Sequence, residues 1–212
     1  IQRFEVSNRE YLEFLNDLAA KEPDEAQARA PRQQRKGRYY WVMENGAFKI
    51  PEKDFEGHRH DPFWPVTAVS YEDAVTYATW FSGRDGRLYR LPIEDEWEVA
   101  ARGADGRFYP FGNAIAPNFA NVGLLDPPAI CRVEEFPLDE SPFGVRHMCG
   151  NAADFTSTEH PGFADSVVAK GGSWWRAEVA TRSATRAGAA LQDVSGGGGF
   201  RLVHVPQRLV SE

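Results

Sequence analysis

A chain of 212 residues that is 42% hydrophobic can bury one sizeable core, and one domain over 1–212 is expected. Its 24 basic and 31 acidic residues give a net charge of -7, which opposes indiscriminate phosphate binding and sets nucleic acid aside as a partner. No stretch approaches the ~18 consecutive apolar residues of a membrane span, so a soluble chain is expected; the start at Ile1 is compatible with a piece of a longer protein.

Phe4 and Val6 alternate with polar neighbours, as a strand would. Ser7-Asn8-Arg9-Glu10 then forms a capping box, and Tyr11, Phe14, Leu15 and Leu18 recur at helical spacing to give one buried face. Residues 21–62 form a polar insert, first basic and then turn-rich. Its basic run, 29–38, has the composition of a solvated loop. A hairpin is expected between 39–42 and 47–50 around Glu44-Asn45-Gly46. Ser70 caps a second helix with Ala74, Tyr77, Ala78 and Phe81 on one face, ended by Gly83 and Gly86. Arg90-Leu91-Pro92 introduces a third, short helix to about Gly103, with Glu94, Glu96 and Glu98 complementing its dipole. Beyond Gly106, aromatics, Gly and Pro alternate with short apolar runs, the pattern of short strands and long ordered loops. The fold class is α+β, with two main helices, short twisted strands and much irregular loop.

These blocks, in this order, resemble the family of the formylglycine-generating enzyme, or sulfatase-modifying factor. They include Glu5-Val6-Ser7-Asn8, Arg90-Leu91-Pro92 with Glu96-Trp97-Glu98, Tyr109-Pro110-Phe111-Gly112, Ser141-Pro142-Phe143-Gly144-Val145, Gly150-Asn151, Gly171-Gly172-Ser173-Trp174 and Gly199-Phe200-Arg201. The resemblance implies a C-type-lectin-like fold. Positions 171 and 172 suit a backbone that only Gly tolerates, with an adjacent Trp filling the space they leave. Arg182, Arg186 and Arg201 are each expected to bridge loop carbonyls through a donor fork.

In the family's oxidase members, the segment after the Gly-Gly-Ser block supplies two cysteines that bind copper and attack the substrate thiol. A thiolate serves both purposes, as soft Cu(I) ligand and as nucleophile. Here residues 174–183 contain no cysteine, so copper is not expected and formylglycine formation loses its chemistry. The two cysteines present, Cys131 and Cys149, read as buried small apolar side chains and fit a reducing, cytoplasmic setting. The resemblance also implies two calcium sites. One corresponds to His147, Gly150, Ala152 and Asp154, where His147 stands in place of an oxygen ligand; the other corresponds to Asn121 and Val122, with Asp126 as the nearby acid. No other cofactor is expected. His58-Arg59-His60-Asp61 reads as a surface loop without fixed metal geometry, His160 and His204 stand alone, and the glycines at 196–199 do not fit a phosphate cradle.

With that chemistry removed, 174–199 is the informative segment, because in this fold it forms the exposed ligand face. The family includes retroelement-diversified ligand binders and domains fused to bacterial serine/threonine kinases, and the opening 5–18 with its long insert is similar to the kinase-fused group. Adjacent tryptophans cannot share one face of a strand, so Trp174 is expected in the core and Trp175 outward. The expected contacts to a protein, small-molecule or glycan ligand are Trp175, Arg176, Glu178, Ala180, Thr185, Ala187, Ala189 and Gln192, with small residues leaving a shallow concavity. The alternative is a metal-dependent oxidase using His147 and Cys149.

Overall fold

The computed structural model describes residues 1–35, 37–124 and 129–206. Ser7 starts α1 (Asn8–Ala19) as its capping box dictates: the Glu10 carboxylate accepts the Ser7 N–H at 2.8 Å, and the Ser7 hydroxyl accepts the Glu10 N–H. Tyr11, Phe14 and Leu15 of this helix are fully buried, and Leu18 packs partly buried against the same core. No strand forms over Phe4 and Val6. Val6 instead exchanges single backbone bonds with Phe200 and Val66, and only Ser7 bridges Pro65.

The insert is not wholly irregular, since it contains α2 (Pro23–Arg29). Pro23 opens this helix, Asp24 and Glu25 occupy its first turn and Arg29 its last, all favourable to the dipole. Its single buried residue, Ala26, creates no apolar period for a sequence to display. Nor is the basic run simply solvated, because Arg29 and Arg32 both pair with the buried Asp73 at 3.1 and 2.7 Å. The hairpin forms as β1 (Met43–Glu44) and β2 (Ala47–Phe48), with Asn45 and Gly46 both at positive φ. Its ladder is shorter than expected, because Tyr39 bridges Arg32.

Helix α3 (Tyr71–Asp85) is capped by Ser70 and Asp73, runs through Gly83 and stops at the left-handed Gly86. After β3 (Tyr89–Arg90) comes α4 (Glu94–Arg102), whose Glu96 accepts the Ile93 N–H and grips Arg90 with both oxygens at 2.7 Å. The rings of Tyr11, Phe14, Tyr77 and Phe200 meet with centroids 5.2 to 6.3 Å apart, joining α1 and α3 to the last segment of the chain.

The later strands are β4 (Ala153–Glu159), β5 (Ser166–Lys170), β6 (Ala187–Ala190), β7 (Gly198–Gly199) and β8 (Val203–His204). Four of them form a sheet in the order β6-β5-β4-β7, with β7 parallel to β4; β8 pairs β3 antiparallel. Lys170 is fully buried between Glu94 at 3.2 Å and Glu98 at 3.0 Å, fastening β5 to α4. Arg201 is also fully buried. It donates to Asp154 at 2.7 Å and to the carbonyls of Arg3, Arg146 and His147. The carbonyl-bridging role thus falls to Arg201 alone of the three expected arginines. Arg186 pairs with Glu94 at 2.6 Å, and Arg182 lies over the Phe108 ring; both are exposed. Among the described residues, no helix is long and apolar enough to cross a membrane.

Candidate functional site

Gly171 and Gly172 adopt φ of 83° and 70°, a region closed to most side chains. They turn the chain out of β5 into an irregular loop, so the strand alternation expected for the two tryptophans does not operate. The ring facing Gly171 is Trp97, not Trp174, and Thr181 packs on Gly172. Trp174 and Trp175 stand edge to face with centroids 4.7 Å apart. Trp174 is half-buried rather than core, its indole N–H bonded to the Gly196 carbonyl at 3.2 Å, while Trp175 is 38% exposed.

Trp175 forms one wall of an open concavity of about 460 Å³. The structure gathers Trp175, Arg176, Ala180, Thr185, Ala187 and Ala189 around it, over a floor that includes Phe155 of β4. It leaves out Glu178, which opens a 3₁₀ turn (Glu178–Thr181), and Gln192, which lies exposed past β6. Arg186, expected from the sequence to bridge carbonyls rather than to meet a ligand, and Asp193, which did not stand out in the sequence, also line the concavity. Asp193 is engaged by the Gln34 amide of the insert at 2.7 Å, a link with no local sequence signal.

The glycine run has a steric purpose here. A Cβ on Gly197 would stand 2.3 Å from the Trp175 ring, whereas one on Gly196 would sit at 4.0 Å. Gly197→Ala is therefore expected to displace the half-exposed ring and red-shift tryptophan emission, at a stability cost of no more than about 1 kcal/mol. Gly196→Ala should leave the emission unchanged, and emission spectra of the two variants check this.

The residues of the two implied calcium sets are partly engaged in the fold's own hydrogen bonds. In the first set, the His147 carbonyl accepts from Arg201 and the Asp154 Oδ2 accepts from Arg201 and Trp97, whereas the Asp154 Oδ1 and both His147 ring nitrogens are buried without a partner among the described residues. Burial beside Arg201 and Arg146 drives the His147 pKa down to about 3. Gly150 and Ala152 contribute only backbone, and Gly150 is pressed against the Asn121 carbonyl, which a Cβ there would meet at 2.1 Å. Of the second set, the Val122 carbonyl accepts from Leu124, and Asn121 donates to Ala129 and Asn151 through its amide nitrogen, while its Oδ1 is buried without a partner among the described residues. Asp126 lies outside the described residues.

The thiols are equally constrained. Cys149 is fully buried and within 3.3 Å of the Thr181 hydroxyl, and desolvation pushes its pKa well above the ordinary thiol value. Cys131 is buried against Asn151, with its pKa raised by the same cause. Burial thus disfavours the thiolate form of both side chains.

The loop at 58–61 has more fixed geometry than expected. His60 lies 3.1 Å from Asp54 through Nε2 and accepts the Trp41 indole N–H at Nδ1, which places its proton on Nε2. Asp54 also accepts the backbone N–H of Glu56 and His58, and these bonds hold its carboxyl below the ordinary range despite burial. Asp54, Glu56 and His58 bring ligand atoms within 4.8 Å of one another, but the Asp54 carboxylate already anchors the loop.

Among the described residues, four α-helices around a small mixed sheet, with a concavity built on the loops that follow β5, define an α+β domain of the C-type-lectin-like class. Residues 1–206 match the sulfatase-modifying factor enzyme 1-like domain, and the chain belongs to that family. It is 27% identical to the inactive C-alpha-formylglycine-generating enzyme 2 of Bos taurus over 95% of this chain and 75% of that protein. To the formylglycine-generating enzyme of Bos taurus it is 31% identical, over 79% of this chain and 51% of that protein. The solved structure of PvdO from Pseudomonas aeruginosa shares the fold with a TM-score of 0.70 at 22% identity, covering 95% of this chain and 78% of that one. Treponema denticola variable protein 1 shares it with a TM-score of 0.65 at 16% identity, covering 93% and 81% respectively.

Proposed function

We propose that this domain is a non-catalytic ligand- or protein-binding module whose recognition face is the concavity beside Trp175. One observation carries the reading: the segment 174–183 holds no sulfur, yet it folds into an open rim of indole, guanidinium and small side chains. A ring beside an uncommitted fork donor has the composition of a binding hot spot. Arg176 donates no side-chain hydrogen bond among the described residues, so its guanidinium is available to a ligand. The match to a relative named as inactive and the fold shared with a variable protein both support a binding role. Within that role, the module acts as the sensing or docking part of a larger bacterial signalling protein. Two buried, unpaired thiols suit a cytoplasmic location.

Arrays of peptides and glycans probed with the wild type and with Trp175→Ala/Arg176→Ala test this. At least tenfold weaker binding by the variant is expected, with a melting temperature within a few degrees of wild type because both side chains are exposed. Undiminished binding, or a collapse in melting temperature, would contradict the assignment.

A further inference from the structure

We infer that a second cavity, lying between the insert and the body of the domain, binds a small aryl carboxylate. It measures about 420 Å³, within the roughly 300–1,000 Å³ typical of small-molecule sites, and its walls include the rings of Tyr40, Trp41, Trp64 and Trp174. The Trp174–Trp175 pair stands between the two sites, with Trp174 lining this cavity and Trp175 lining the recognition concavity.

The wall is held in a costly conformation. Ala68, which also lines the cavity, has a φ of 59°, a left-handed backbone that costs a non-glycine residue on the order of 1 kcal/mol. Two backbone bonds enforce it: Ala68 N–H donates to the Ser195 carbonyl, and the Ala68 carbonyl accepts from Arg32.

The charge of the ligand follows from which polar groups are uncommitted. Asp54 faces the cavity, but its side chain is only 2% exposed and its oxygens accept from Glu56, His58 and His60. The Tyr40 hydroxyl is bonded to Glu56, the Trp41 indole to His60 and the Trp174 indole to Gly196. Arg59 lines the exposed rim and forms no hydrogen bond, ion pair or ring contact among the described residues; the Trp64 indole N–H likewise has no partner among them. Asn8, through its Oδ1, and the Thr67 hydroxyl add neutral polar groups to the lining, so the one uncommitted charge on it among the described residues is the permanent cation of Arg59. A flat apolar body would stack on the rings while its carboxylate met the Arg59 fork and the Trp64 N–H.

Calorimetric titration with 2-naphthoate, 2-naphthamide and 2-naphthylmethylamine tests the inference. Naphthoate should bind at one site, at least tenfold more tightly than the amide, with the amine weakest. Arg59→Gln should reduce naphthoate to the affinity of the amide without changing the melting temperature, and Trp64→Ala should weaken both ligands. Trp175→Ala/Arg176→Ala should leave naphthoate binding intact, which separates this site from the recognition face. Absence of saturable naphthoate binding, equal or tighter binding of the amide or amine, or an undiminished naphthoate preference in Arg59→Gln would overturn it.

Discussion

Arg201→Met is expected to lower unfolding stability by about 3–5 kcal/mol in urea titrations, the range seen when one partner of a buried charge pair is removed. Arg201 is fully buried, and its guanidinium is the one positive group bonded to Asp154, with Glu5 at 3.9 Å. Methionine fills similar volume but leaves the Asp154 carboxylate without its cation and the carbonyls of Arg3, Arg146 and His147 without their donor. Arg182→Met, on the exposed surface, should change stability by no more than about 0.5 kcal/mol. The concavity should suffer with Arg201, because Asp154 adjoins Phe155 in its floor.

Stability is also expected to fall, by on the order of a few kcal/mol, as pH rises from about 4 to 8.5. Burial raises the pKa of Glu5 from 4.5 to about 8 and that of Asp139 from 3.8 to about 8. Below the ordinary carboxylate range, the folded and unfolded chains both hold these protons and nothing is lost. Between there and about pH 8, the unfolded chain releases them while the folded chain retains them, so unfolding gains ground. His147 acts oppositely: kept neutral in the fold, it is protonated in the unfolded chain below its ordinary value of 6.5 and costs stability down to about pH 3. Maximal stability is thus expected in weak acid. Melting temperatures measured from pH 4 to 9 should show this maximum, and Asp139→Asn should flatten the alkaline limb. A melting temperature that rises steadily to pH 8.5 would contradict the buried protonated carboxyls.

The parts of the fold written locally were legible in the sequence. Capping boxes at Ser7 and Ser70 start helices through contacts three residues apart, and Tyr11, Phe14 and Leu15 display their period directly. Helix α2 escaped because a seven-residue helix that buries only Ala26 has no such period. Most of the expected contacts line one concavity, since small residues between two glycine-bounded blocks predict open space. Glu178 and Gln192 fall outside it because a 3₁₀ turn and the end of β6 redirect the chain there, features without a local signature. The carbonyl-bridging role of Arg201 was legible, but its pairing with Asp154 and that of Asp193 with Gln34 join partners 47 and 159 positions apart, which no window of sequence reveals. The same holds for the aromatic cavity: its rings come from the insert, the segment before α3 and the loop after β5.

The recognition reading depends on a missing thiol pair. Its most direct test is to incubate the purified domain with copper, oxygen and a cysteine-containing sulfatase-derived peptide, and to follow the peptide by mass spectrometry. The cysteine should remain a thiol or go no further than an ordinary disulfide; conversion to the aldehyde, dependent on the protein, would contradict a non-catalytic module.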